Sequence, residues 1–222
     1  MFTISQLKTM FAMQAELNAV MGSPTWLTDN NNYMRAARIE LFEAIDHYGY
    51  KWWKAHKPNV PQCQLELVDA WHFVMSDMMV RLAADGVSVD ELITDIQPIL
   101  EECVAEPKTF NSDFNMAIEV IISGSFLTGN LALKPFVEAC EVLNLTGDQF
   151  FKMYVFKNAL NLFRQKHGDK QGTYIKTWFG REDNVFLAQE IDAINVTAPD
   201  FIEKLNASLE AEYAAVKANS TH

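Results

Sequence analysis

The chain has 222 residues, of which 49% are hydrophobic and 21% charged, and its formal net charge is −11 at pH 7. That length and composition fit one well-buried globular domain. The acidity argues against nucleic-acid polymers, which are gripped by many Lys and Arg contacts to phosphate, and no apolar run approaches the roughly 18 residues of a membrane span.

The chain reads as helical nearly throughout. Residues 3–21 carry Leu7, Met10, Phe11, Leu17 and Val20 at spacings of three and four, and Gly22-Ser23-Pro24 stops them. A second helix is expected from Tyr33 to Tyr48. After the connector Lys57–Pro61 a third runs over 62–84 and ends at Asp85-Gly86. Ser88 and Glu91 form a capping box for a fourth helix. Helices over 114–128, 132–144 and 149–166 follow, then a glycine-punctuated loop from His167 to Gly180, a short helix near 183–194 and a last one opened by Pro199-Asp200. Thr173–Thr177 alternates briefly like a strand. The expected fold class is all-α, one domain over 1–222, with 86–145 open to reading as an inserted helical subdomain and 199–222 as a C-terminal helix.

Two acidic couplets stand out: Glu40-x-x-Glu43 on the second helix and Glu66-x-x-Asp69 on the third. Positions i and i+3 share a helix face, so two packed helices can aim four carboxylates at one point. A lone couplet is most often a solvated face. Two on adjacent helices, beside apolar residues, raise the competing reading of a site for a hard divalent cation such as Mg²⁺ or Mn²⁺. His47 lies close enough to support the acids. His72, on the apolar third helix, reads as a core residue.

The basic residues are concentrated elsewhere. Lys157, Arg164, Lys166, Lys170, Lys176 and Arg181 crowd one stretch of an acidic protein. Lys157, Asn161 and Arg164, spaced by four and three, share one helix face. That face suits phosphate and base-edge recognition or, more plainly, structural ion pairs. Tyr50-Lys-Trp-Trp-Lys54 offers aromatics beside lysines; core or dimer-interface anchoring weighs more than a nucleobase platform there. Gln14 and Asn18, four apart, fit either helix surface or base readout. Cys63, Cys103 and Cys140 are odd in number and lack a Cys-x-x-Cys. With no signal-peptide pattern at Met1–Lys8, they lead us to expect a reduced, cytoplasmic location without thiolate zinc.

Taken together, Glu40-x-x-Glu43, Tyr50-Lys-Trp-Trp-Lys54, Glu66-Leu-Val-Asp-Ala-Trp-His-Phe73, Lys157-Asn-Ala-Leu-Asn-Leu-Phe-Arg-Gln165, Gly172–Trp178 and Gly180-Arg-Glu-Asp-Asn184 resemble the dimeric, all-α dUTPases. These belong to the all-α nucleoside triphosphate pyrophosphohydrolase superfamily. The resemblance spans residues 5–195; the family's motifs do not reach into 86–145, and Tyr50 stands where a tryptophan is common. It implies a helical bundle of that superfamily's type and hydrolysis of dUTP, with dUDP, to dUMP. Glu40, Glu43, Glu66 and Asp69 would hold two or more Mg²⁺ ions, Mn²⁺ being able to substitute, with Glu43 as general base. Lys157, Arg164, Tyr174 and Lys176 would bind phosphates; Gln14, Asn18, Trp53 and Asn161 would meet base or sugar. A homodimer is implied, with no nucleic-acid or membrane partner. The alternatives are a dCTPase or dual dCTP/dUTP enzyme, a broader nucleotide-cleaning pyrophosphohydrolase, and a non-catalytic helical binding module.

Overall fold

Capping residues set where the helices begin. In the computed structural model, which describes residues 1–110, 113–186 and 200–220, Thr3 and Gln6 form a capping box for α1 (Ile4–Met21), and Asn32 caps α2 (Tyr33–Tyr48). The expected box at Ser88 and Glu91 opens α4 (Val89–Ala105). A third box, Thr146 with Gln149, starts α7 (Gly147–Lys166) two residues earlier than hydrophobic spacing indicates. Gly147 is fixed by a different constraint: a Cβ there would collide with the Met1 carbonyl oxygen. α3 (Val60–Asp85) also starts early, because Pro61 is accommodated in its first turn, where no intrahelical N–H bond is lost. α5 (Phe114–Thr128) and α6 (Leu133–Val142) complete the central set, and α8 (Phe201–Ser220) is the last described helix.

Extended structure among the described residues is confined to one small hairpin. β1 (Thr177–Trp178) pairs antiparallel with β2 (Arg181–Glu182), Thr177 opposite Glu182. The ladder takes in only the last residue of the alternating Thr173–Thr177 segment. Thr173 is held in the preceding loop by its N–H to the Gly168 carbonyl (3.0 Å), and the turn sits at Phe179-Gly180. Both turn residues have positive φ, 48° and 81°, the conformation that two-residue hairpins require. Helix resumes at residues 183–186; the remainder of the helix expected near 183–194 lies outside the described residues.

Two aromatic-rich cores are built on this frame. In the larger one, Trp71 stacks on Phe136 at 5.3 Å and meets Phe2 at 5.7 Å, and residues of α1 through α7, including those between 86 and 145, join a single cluster. The smaller one gathers Phe156, Leu160 and Phe163 of α7, Trp178 of the hairpin and Leu205, Leu209 and Tyr213 of α8. Val155 faces the first cluster and Phe156 the second, so α7 is the wall between them.

α2 and α3 run antiparallel. The Asn59 N–H donates to the His47 carbonyl (2.9 Å) and the Cys63 thiol points at the Ala44 carbonyl (3.6 Å), so one index falls as the other rises. Continuing that register brings Glu40 opposite Glu66. Behind them lies a buried polar network. The amides of Gln14 and Asn18 donate to Ser76 Oγ at 3.0 and 2.9 Å, Gln14 also bonds Asn18, and the Tyr154 hydroxyl donates to Gln14 Oε1 at 2.8 Å. Ser76→Ala leaves both amides short of a partner and should lower unfolding free energy by about 1–3 kcal/mol, the scale of orphaned buried polar groups. Urea unfolding checks this; an unchanged midpoint would show the network to be dispensable.

Candidate active site

Two walls of opposite charge enclose a cavity of about 620 Å³. Its acidic wall comes from α2 and α3: Glu40, Glu43, Glu66 and Asp69, with His47, Asn59, Gln62 and Leu65 around them. The opposite wall is Lys157 and Arg164 of α7 with Lys176, Glu182 and Asn184 from the hairpin region. Glu40, Glu43 and Glu66 each bring an oxygen to within 4.8 Å of the others. Asp69, one turn along α3, is instead engaged by Lys157 at 2.8 Å.

Crowding and burial govern the ionisation of this wall. Glu66 is only 8% exposed. Burial first, then the charges of Asp69 and Glu40, push its carboxyl up to about 8. Burial, Asp69 and Glu43 push Glu40 to about 7, while its hydrogen bond with Glu66 works in the opposite direction. The pair thus shares protons near neutrality, and a divalent cation among the oxygens would supply the positive charge the protons otherwise bring. His47 Nε2 stands 3.4 Å from Glu66 Oε1. An all-oxygen donor set of this kind suits a hard divalent cation.

The basic wall is equally paired. The Arg164 guanidinium donates through Nε and Nη2 to Asp183 at 2.8 and 2.7 Å, and more weakly to Asn161 and Asn184 at 3.2 Å each. The Tyr174 hydroxyl donates to the same carboxylate at 2.8 Å. Lys157 Nζ, itself buried, reaches Asn184 at 3.3 Å as well as Asp69. Lys176 is exposed and 4.0 Å from Glu182.

The residues singled out in the sequence are therefore distributed unevenly. Glu40, Glu43, Glu66, Asp69, Lys157, Arg164 and Lys176 line one cavity. Asn161 and Tyr174 adjoin it through Arg164 and Asp183. Gln14 and Asn18 lie in the buried Ser76 network, not on the cavity wall. Trp53 is 63% exposed and Trp52 90%, so neither anchors the core; they pack edge-on to each other in the loop after α2. His72 is a core residue: its Nδ1 lies 2.8 Å from the Val68 carbonyl, its ring stacks on Tyr154, and burial lowers its pKa to about 4, keeping it neutral. The three cysteines are free and buried. Asp183 and Asn184 enter the sequence reading only within the Gly180–Asn184 motif; the signal for them is an acid–amide pair just after a glycine turn.

The model of the dUTPase family matches residues 6–168. The chain belongs to the all-α dUTPase family. It is a nucleotide diphosphohydrolase that cleaves dUTP. The match runs through 86–145 and includes both acidic couplets, Lys157 and Arg164. It stops before Tyr174, Lys176 and Asp183. No curated protein matches the chain. Among the described residues, no helix of the enzyme is long and apolar enough to cross a membrane.

The shifted carboxyls carry a stability consequence. Burial and crowding push Glu40 and Glu66 from the ordinary carboxylate value of 4.5 up to about 7 and about 8, so the folded enzyme retains protons that an unfolded chain releases. Their contribution is fully present below the unfolded pKa and is lost as pH rises through 7 to 8. In chelator-treated buffer the melting temperature should fall from about pH 5 to about pH 8, and Glu40→Gln should flatten that fall. A variant that tracks wild type across the range would rule out the shared protons.

Proposed function

We propose that this enzyme hydrolyses dUTP, and dUDP, to dUMP with Mg²⁺ held by Glu40, Glu43, Glu66 and Asp69. Two or more ions are expected, and Mn²⁺ should substitute. The observation that carries the reading is the convergence of three carboxylates opposite Lys157 and Arg164 across one cavity. When bound, the ions polarise phosphate oxygens and lower the pKa of a water.

The residues divide the remaining work. Glu43, the most exposed of the three converging acids, orients the attacking water and takes its proton. Lys157, Arg164 and Lys176 donate to phosphate oxygens and stabilise the charge that develops there, and Tyr174 joins them by turning its one hydroxyl hydrogen from Asp183 to phosphate. Asn161, beside Arg164, contacts base or sugar. The same role for Gln14 and Asn18 requires their amides to leave the buried Ser76 network, which lies off the cavity wall. Trp53 packs near the base, consistent with an exposed indole that a ligand would cover.

A homodimer in the cytoplasm completes the proposal. Ile39 and Phe42 on α2, with Phe126 and Leu127 on α5, leave apolar side chains half-exposed or more, on two helices that pack together. A second copy would cover them.

Three measurements test the reading. Pyrophosphate release from dUTP, dCTP, dTTP and UTP, with Mg²⁺ and with EDTA, should show metal-dependent turnover of dUTP far above the rest. Equal dCTP turnover would make the enzyme dual. Glu43→Gln should abolish turnover without loss of fold; near-wild-type kcat at saturating Mg²⁺ would remove the general-base role. Arg164→Ala should reduce kcat/KM by the equivalent of about 1.5–3 kcal/mol, the scale of a charged hydrogen bond. An unchanged kcat/KM would take Arg164 out of the site.

A further inference from the structure

Asp183 is fully buried, lies off the cavity wall, and accepts three hydrogen bonds from groups that serve it. A buried carboxylate without partners would be strongly unfavourable, so its surroundings define its purpose. Both oxygens are engaged by the Arg164 fork, at 2.8 and 2.7 Å, and one also takes the Tyr174 hydroxyl at 2.8 Å. Its own N–H donates to the Lys176 carbonyl at 3.0 Å, extending the hairpin. One carboxylate therefore joins α7, the loop after it and the start of the next helical segment.

We infer that Asp183 is the positioning residue of the phosphate end of the site, acting through Arg164 and never touching substrate. The fork consumes Arg164's Nε and one Nη2 hydrogen, which fixes the guanidinium plane and turns its other edge toward Asn161, Asn184 and the cavity. The pairing also cancels the formal charge of Arg164, so the site receives aimed donors instead of a mobile cation. Tyr174 spends its one hydroxyl hydrogen on the same carboxylate and so braces the fork from the loop side, and burial and the adjacent carboxylate push that hydroxyl well above the ordinary phenol range. An arginine without this fork would sample rotamers across a wide cavity.

The inference rests on Arg164 meeting phosphate, and a double-mutant cycle separates the two claims. Asp183→Asn keeps the shape but points an amide donor at groups that themselves donate. It should lower kcat by about 10–100-fold, the usual consequence of losing the group that orients a ligand-binding residue. The Mg²⁺ concentration for half-maximal melting shift should not change. In an Arg164→Ala background, Asp183→Asn should cause no further loss, because its target is gone. Losses that multiply would overturn the positioning role, as would wild-type kcat in the single variant. If Arg164→Ala itself behaves like wild type, the phosphate reading of Arg164 fails first. Should Asp183→Asn not fold, Asp183→Glu keeps the charge and displaces the fork by one methylene. It should show the same kcat loss and the same masking by Arg164→Ala, and wild-type kcat there would also sink the idea.

Discussion

Glu40, Glu43 and Glu66 hold oxygens within 4.8 Å of one another, and three carboxylates that close cannot all be ionised unless positive charge lies among them. The rest of the structure is arranged around that constraint. The antiparallel pairing of α2 and α3 creates the cluster, and the core beneath Glu66 withdraws it from water. α7 then brings Lys157 to Asp69, so that one acid already meets a cationic group of the protein while Glu40 and Glu66 keep protons that a cation would displace. A surface acidic patch of the same composition would be screened and solvated. Here partial burial makes occupancy of the cluster an electrostatic requirement.

On the opposite wall the logic is reversed. Lys157 and Arg164 each have an internal carboxylate partner, so the cavity is not a trap for any passing anion. It holds fixed N–H donors whose attraction for phosphate becomes strong once cations occupy the acidic side. Acids and bases are kept in register by one helix, α7, whose Val155 and Phe156 enter two different cores.

How much of this could be read from the chain depends on the range of the interaction. Capping boxes, glycine stops and three-to-four spacing act within a few residues, so most helices, and the acid couplets on them, were visible. The α7 start was missed because Thr146 and Gln149 cap a turn whose first residues are not apolar. The tertiary pairings could not be read that way. Nothing near Gln14 in sequence announces Ser76, and nothing near Arg164 announces Asp183. Lys157, Asn161 and Arg164 were left between ion pairing and phosphate recognition, and the structure contains the ion pairs on the wall of the very cavity that suits phosphate. Indole pairs usually signal a core, yet Trp52 and Trp53 stand in water because they sit in a loop between two helices that are already packed.

Tyr213 of α8 stacks on Tyr174 at 5.1 Å, lies edge-on to Phe163, and accepts the Ile175 N–H at 3.0 Å. A helix far along the chain is thus the back support of the loop that carries Tyr174. No residue of the acidic helices α2 and α3 enters the smaller core, so the two walls of the cavity lean on different sets of side chains, joined through α7.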